Sequence, residues 1–172
     1  SLEKEPINPN VLTSLRSLSD DYKPQNPEIA LQLLDVWRQH AGDAEEYTYQ
    51  NQVGNVWYYH EDYQRAVEHY RLAISQNSNS PVILSNLALA LEQIKTPAKR
   101  LEELDEALDT LGKAIKLKPE ESEYSHRYEN MKIERDFIAA CGEMALRFEY
   151  VITPIRLAGE TDLIAHLINE NR

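Results

Sequence analysis

Apolar residues recur along this chain at helical spacing, interrupted by short clusters of proline, asparagine and acidic residues. Val11, Leu12, Leu15 and Leu18 follow that spacing, and the segment SDDYKPQNP then breaks it, which predicts a short helix over 11–18 and a loop after it. Pro27 suits a first helical turn capped by Asn26, and Ile29, Ala30, Leu33, Leu34 and Trp37 form an apolar stripe that ends at Gly42. A third helix is predicted from near Ala44 through Tyr49, Val53, Val56 and Trp57 to about Tyr59. A fourth runs from Tyr63 through Val67, Tyr70 and Ile74 to about Gln76. So few residues separate these two that they must lie antiparallel, as a hairpin.

The turn-rich stretch NSNSP then leads into a stripe of Leu84, Leu87, Ala88, Leu91 and Ile94 within 82–94. After Thr96-Pro97, Leu101, Leu104, Leu108, Leu111 and Ile115 repeat at helical spacing up to Lys118-Pro119. A long helix is predicted over 122–151, with Tyr124, Tyr128, Met131, Ile138, Cys141, Ala145 and Phe148 on its stripe. Pro154 interrupts it, Gly159 closes a turn, and Thr161 can cap a last short helix carrying Leu163, Ile164, Leu167 and Ile168. Residues 1–10 hold two prolines and little to bury, and are expected to be a flexible lead. No strand is predicted, so the fold class expected is all-α.

The helices repeat as a unit. In the window 47–80, Val53, Gly54, Trp57, Tyr63, Ala66, Tyr70 and Ala73 fall where a tetratricopeptide (TPR) repeat of about 34 residues places its large and small packing residues. This window is similar to a TPR unit. Two antiparallel helices approach closely only where a small residue faces a large one, here Gly54 and Ala66 against Trp57 and Tyr70. The window 81–121 repeats the pattern with Leu84, Leu87, Ala88 and Leu91, then Ala107, Leu111, Ala114 and Pro119. It is longer than one unit, and the extra residues are expected between its helices, around Thr96–Leu101. The chain departs from the family at Gln50, at Glu61 where glycine is usual in the turn, and at Ser78 where proline is usual.

Upstream, Ala30, Leu34 and Trp37 keep the spacing of a second TPR helix, so 11–44 resembles a degenerate repeat. The helix 122–151 resembles the capping helix of such arrays, and 152–172 would form a turn and a short helix. The resemblance therefore implies a TPR-like array of antiparallel helix hairpins, an alpha-alpha superhelix, over 11–151. It also implies a concave groove that captures a partner peptide or helix.

Carried over by position, the groove-facing residues are Thr48, Asn51, Asn55, Tyr58 and Tyr59 from one unit, and Val82, Ser85, Asn86 and Leu89 from the next. Asparagine amides can hold a peptide backbone by both donor and acceptor. In the carboxylate-clamp subclass, Asn55, Asn86 and Arg127 match by position, but the two lysine positions are Asn51 and Glu123. Most of the charge that would hold a carboxylate is thus replaced. The expected partner-binding set is Asn51, Asn55, Tyr58, Tyr59, Ser85, Asn86, Leu89 and Arg127.

Composition narrows the partner. The net charge of −11 disfavours nucleic acid and anionic membrane surfaces, which both need a basic face. A hydrophobic fraction of 42% is enough for a packed core, and no apolar run is long enough to span a bilayer. The five histidines are scattered without metal-ligand spacing, and the single Cys141 lies on an apolar stripe with no basic neighbour to lower its pKa. No cofactor or metal is expected. The acidic run Glu102, Glu103, Asp105, Glu106, Asp109 surrounds Leu101, Leu104 and Leu108 and reads as a solvated helix face.

Six of the ten tyrosines crowd 47–70, and adjacent Tyr58 and Tyr59 cannot both point into one narrow stripe, so at least one should be exposed. Exposed aromatics on a concave surface serve as binding anchors. The expectation is a noncatalytic, cytoplasmic interaction scaffold for a protein or peptide partner. The alternative is a homo-oligomer built through the C-terminal helices. The chain begins at Ser1 rather than Met, so the native N-terminus is expected to lie upstream, where a targeting or anchor segment could be carried.

Overall fold

The computed structural model describes residues 8–141 apart from 78, 97 and 98. Among them are seven α-helices, one short 3-10 turn and no strand. The protein is all-α. The chain forms two compact units, Ser1–Ala90 and Leu91–Arg172. The expected capping-helix segment beyond 141, the turn at Pro154 and Gly159, and the helix begun at Thr161 lie outside the described residues, as do residues 1–7 and Ser78.

In the first unit, α1 (Pro9–Tyr22) and α2 (Pro27–Ala41) pack as one hairpin, and α3 (Glu46–Tyr59) and α4 (Tyr63–Gln76) as the next, with α2 against α3. The short helix predicted over 11–18 is longer at both ends. Asn8 caps it by accepting from the Asn10 amide at 2.9 Å, and Pro9 takes the first helical position, where its missing N–H is not needed. At the other end Ser19 stays helical because it is buried against α2, its hydroxyl donating to the Ala30 carbonyl at 3.0 Å. Tertiary contact there outweighs the turn preference of Ser-Asp-Asp. The helix stops short of Pro24, which has no amide to donate.

Asn26 and Pro27 begin α2 as the sequence predicts, Asn26 accepting from the Ile29 amide at 3.1 Å, and Gly42 ends it with φ +84°. The core between α2 and α3 is Ala30, Leu34, Val53 and Val56, flanked by Leu31, Tyr49 and Trp57. At its edge the Tyr49 hydroxyl donates to Asp35 at 2.6 Å. Burial, with that bond second, pushes the Tyr49 phenol up to about 12.

The turn from α3 to α4 closes with the Asp62 amide on the Trp57 carbonyl and the Glu61 amide on the Tyr58 carbonyl. That pairing is a Schellman motif, which needs a left-handed residue after the helix. Glu61 supplies it at φ +59°, the position where the sequence departs from the expected glycine. Asp62 then caps α4 through the Arg65 amide. The first residues of α5 (Pro81–Gln93) also belong to this unit, and buried side chains cover most of its faces: Ile83, Leu84, Ser85, Leu87, Ala88 and Ala90.

In the second unit, α6 (Arg100–Leu117) packs against α7 (Ser122–Cys141). Leu104, Ala107, Leu111 and Ala114 line the buried face of α6, and Tyr124, Met131 and Ile138 that of α7. Within the segment around Thr96–Leu101, where the extra residues are expected, Arg100 and Leu101 are already helical, in an α6 that is longer than α4. Much of the acidic run is solvated, with Asp105 pairing Arg135 at 2.8 Å and Asp109 pairing Lys113 at 2.6 Å.

Helical placement of Arg100 has a physical reason. Its guanidinium is 2% exposed and donates to Glu134 of α7, at 2.5 Å from Nη2 and 3.0 Å from Nε. Nη1 reaches the carbonyls of Leu91, Glu92 and Ile94 at 3.4, 2.8 and 2.6 Å. One side chain thus caps the end of α5 and neutralises a carboxylate on α7, a geometry that the planar fork of arginine can satisfy and a lysine cannot. Arg100→Met is expected to lower stability by about 3–5 kcal/mol in urea unfolding, because it removes the guanidinium from the buried Glu134 carboxylate and from the carbonyls that end α5. Adding Glu134→Leu should recover part of that loss, while Arg100→Lys should not restore the wild-type value.

Candidate functional site

A cavity of about 120 Å³ opens in the first unit. From α3 it is lined by Asn55, Tyr58 and Tyr59, and from α5 by Asn86 and Leu89. All five were expected at the partner face. Tyr70 of α4 and Lys23, just after α1, complete the lining.

The position of Tyr70 follows from Gly54. A Cβ built on Gly54 would lie 2.6 and 2.8 Å from ring carbons of Tyr70, so the ring occupies the space that any other residue would fill. Tyr70 is 2% exposed, and its hydroxyl donates to Asn55 Oδ1 at 2.9 Å. Burial, followed by the neighbouring Tyr58, raises its pKa well above the ordinary tyrosine value, so it stays a neutral donor.

Asn55 is thereby oriented. Its amide nitrogen donates to Gln52 at 3.0 Å, and its oxygen also accepts from Asn86 Nδ2 at 3.3 Å. Asn86 donates to Asn51 Oδ1 as well, at 3.1 Å. The three asparagines form one chain of amides between α3 and α5. Because Asn86 spends its nitrogen inside this chain, its oxygen is left as an acceptor, and Asn51 keeps its nitrogen as a donor. The arrangement can offer both halves of a peptide hydrogen-bonding pattern beside an aromatic cavity.

Asn51 itself stands one helical turn before Asn55 and does not line the cavity. Tyr59 is the exposed member of its pair at 59%, while Tyr58 is half-buried and packs edge-on to Tyr63 with ring centroids 5.4 Å apart. Val82 is exposed and Thr48 half-exposed. Ser85, also expected at the partner face, is 6% exposed and lies on α5 among the buried Ile83, Leu84 and Leu87. Arg127 belongs to the second unit, where it pairs with Glu123 one turn earlier on α7.

Sequence reasoning missed Lys23 and gave Tyr70 only a packing role. Lys23 was assigned to a loop, and nothing local marks it. It is brought to the cavity by a long-range bond between its carbonyl and His60 Nε2, at 2.6 Å. Its ammonium lies 5.3 Å from the centroid of the Tyr59 ring and 2.8 Å from Asp20.

His69 bonds Gln50 Oε1 through Nδ1 at 2.7 Å. Among the described residues no group of His, Cys, Asp or Glu could hold a metal ion, and no helix is long and apolar enough to cross a membrane. The side chain of Cys141 lies outside the described residues. Compared with known family models the sequence matches none, and it has no significant match among curated proteins.

Two measurements test this geometry. Gly54→Ala gains helix propensity of about 1 kcal/mol but must displace a buried, hydrogen-bonded ring, and overpacking costs about 1–3 kcal/mol. The expected net is destabilisation by about 1–2 kcal/mol in chemical unfolding. His69 is a pH-sensitive group of this unit: burial lowers its pKa, against the opposing field of Glu68. The folded state therefore favours neutral imidazole, and this stabilisation is complete above the unfolded pKa of about 6.5. It is lost as pH falls through that value towards the folded one. Between pH 7.5 and 5.5 the melting temperature of the wild type should fall further than that of His69→Gln.

Proposed function

We propose that the chain is a noncatalytic, TPR-like interaction module of the cytoplasm that captures a segment of a partner protein at the α3–α5 cavity. The observation that carries this reading is the convergence of Asn55, Tyr58, Tyr59, Asn86 and Leu89 on that one cavity, with open amide groups at Asn51 and Asn86 beside it. Its volume is close to that of the engineered apolar cavity of about 150 Å³ that accepts benzene, so it accommodates one side chain.

Burying one such side chain contributes about 1.5–3 kcal/mol, whereas micromolar affinity needs about 8 kcal/mol. The partner must therefore be an extended or helical segment that also contacts the surrounding surface, with the cavity setting its register. The asparagine amides would supply backbone contacts, and the exposed Tyr59 a rigid contact area at low entropy cost.

The test is selection of displayed random peptides on the purified full chain, with counter-selection on Tyr59→Ala, Leu89→Arg. Neither residue holds the half-buried amide chain, so the variant should keep its helical circular dichroism. Peptides enriched on the wild type should share one apolar position and bind the variant at least tenfold more weakly. Enriched peptides that bind both proteins equally would place recognition elsewhere.

A further inference from the structure

We infer that the cavity selects a basic partner segment, in which an apolar residue enters the cavity and a flanking lysine or arginine is held at its rim. This rests on the cavity being the partner site, and adds the chemistry of the partner.

The aromatic faces of this unit already take cations. Lys23 lies 5.3 Å from the Tyr59 centroid, Arg38 is 4.6 Å from that of Tyr49, and Arg65 is 4.5 Å from the Trp57 ring. A ring face with its negative quadrupole outward attracts a cation most when little water intervenes. Tyr59, at 59% exposed, retains open ring surface for another.

The charges at the rim point the same way. Lys23 is the one charged residue among those lining the cavity, and it has little to offer an anion: its side chain is 14% exposed and its ammonium is paired with Asp20 at 2.8 Å. Asp20, by contrast, has a side chain 46% exposed and can accept from a second cation. Glu61 is exposed, on the turn that follows Tyr58 and Tyr59, where its amide bonds the Tyr58 carbonyl at 3.1 Å. A partner carboxylate would meet a neutralised ammonium and the Asp20 carboxylate; a partner ammonium or guanidinium would meet the Tyr59 face and that carboxylate, with the exposed Glu61 two residues further along the chain. The chain's net charge of −11 adds a long-range attraction of the same sign.

The experiment uses the full chain and three labelled peptides of equal length with a central leucine, flanked by lysine, by glutamine or by glutamate, read by fluorescence anisotropy. The lysine-flanked peptide should bind at least about tenfold tighter than the glutamate-flanked one at about 50 mM salt, and the ratio should shrink towards one at about 500 mM. Asp20→Asn with Glu61→Gln should narrow the ratio at low salt while the helical melt stays cooperative. Equal or tighter binding of the glutamate-flanked peptide overturns the inference, and the cavity survives as the site if Leu89→Arg still abolishes that binding. If no peptide binds, or binding ignores Leu89→Arg, the inference and the site both fail. Self-association that displaces the peptides, seen in sedimentation velocity, also overturns the inference by making a second copy the occupant.

Discussion

Close approach of α3 and α4 at Gly54 is the constraint on which the first unit depends. The Tyr70 ring occupies the volume that a side chain on Gly54 would need, so the two helices can be this close only with glycine on one and a flat ring on the other. That contact also sends the Tyr70 hydroxyl to Asn55, and Asn55 then receives Asn86 from α5. A packing requirement is thereby converted into an oriented row of amides. A free asparagine on a helix surface would sample several rotamers; here its oxygen is held by two donors, and little rotamer freedom remains.

The second unit solves a different problem with one polar side chain. The end of α5 leaves carbonyls without helical partners, and no glycine follows to turn them back. Arg100 supplies the missing donors while its charge is balanced by Glu134. A buried ion pair by itself is a weak source of stability, since desolvation of both charges offsets much of their attraction. Its value here lies in directionality: the planar guanidinium must face the carbonyls on one side and the carboxylate on another, which specifies the start of α6. A hydrophobic replacement would leave that start unspecified.

Local signals were strong where the chain satisfies itself locally. Asn26 with Pro27, Gly42, and the short link to Tyr63 all act within a few residues, and each element they bound was legible in the sequence. The extension of α1 through Ser19 was not, because the hydroxyl bond to Ala30 that holds it comes from the next helix. Nor was the helical placement of Arg100, whose partners lie on α5 and α7. Repeat spacing places Asn55, Tyr58, Tyr59, Asn86 and Leu89 on one face, and all five line the cavity. Spacing does not report what that face touches, and Ser85, placed on it by the same spacing, is buried.

Apolar periodicity, cap residues and composition by themselves determined that this protein is helical and where most of the described helices begin and end. The helices and their ends depend on interactions within a turn or between sequence neighbours, and are written in residue order. Only the tertiary structure decided that Lys23 reaches the cavity, that three asparagines join into one hydrogen-bonded chain, and that Arg100 serves three helices. Each of these depends on directional bonds between groups far apart in sequence. Their angles and distances are set by how the helices pack, and no local pattern encodes them.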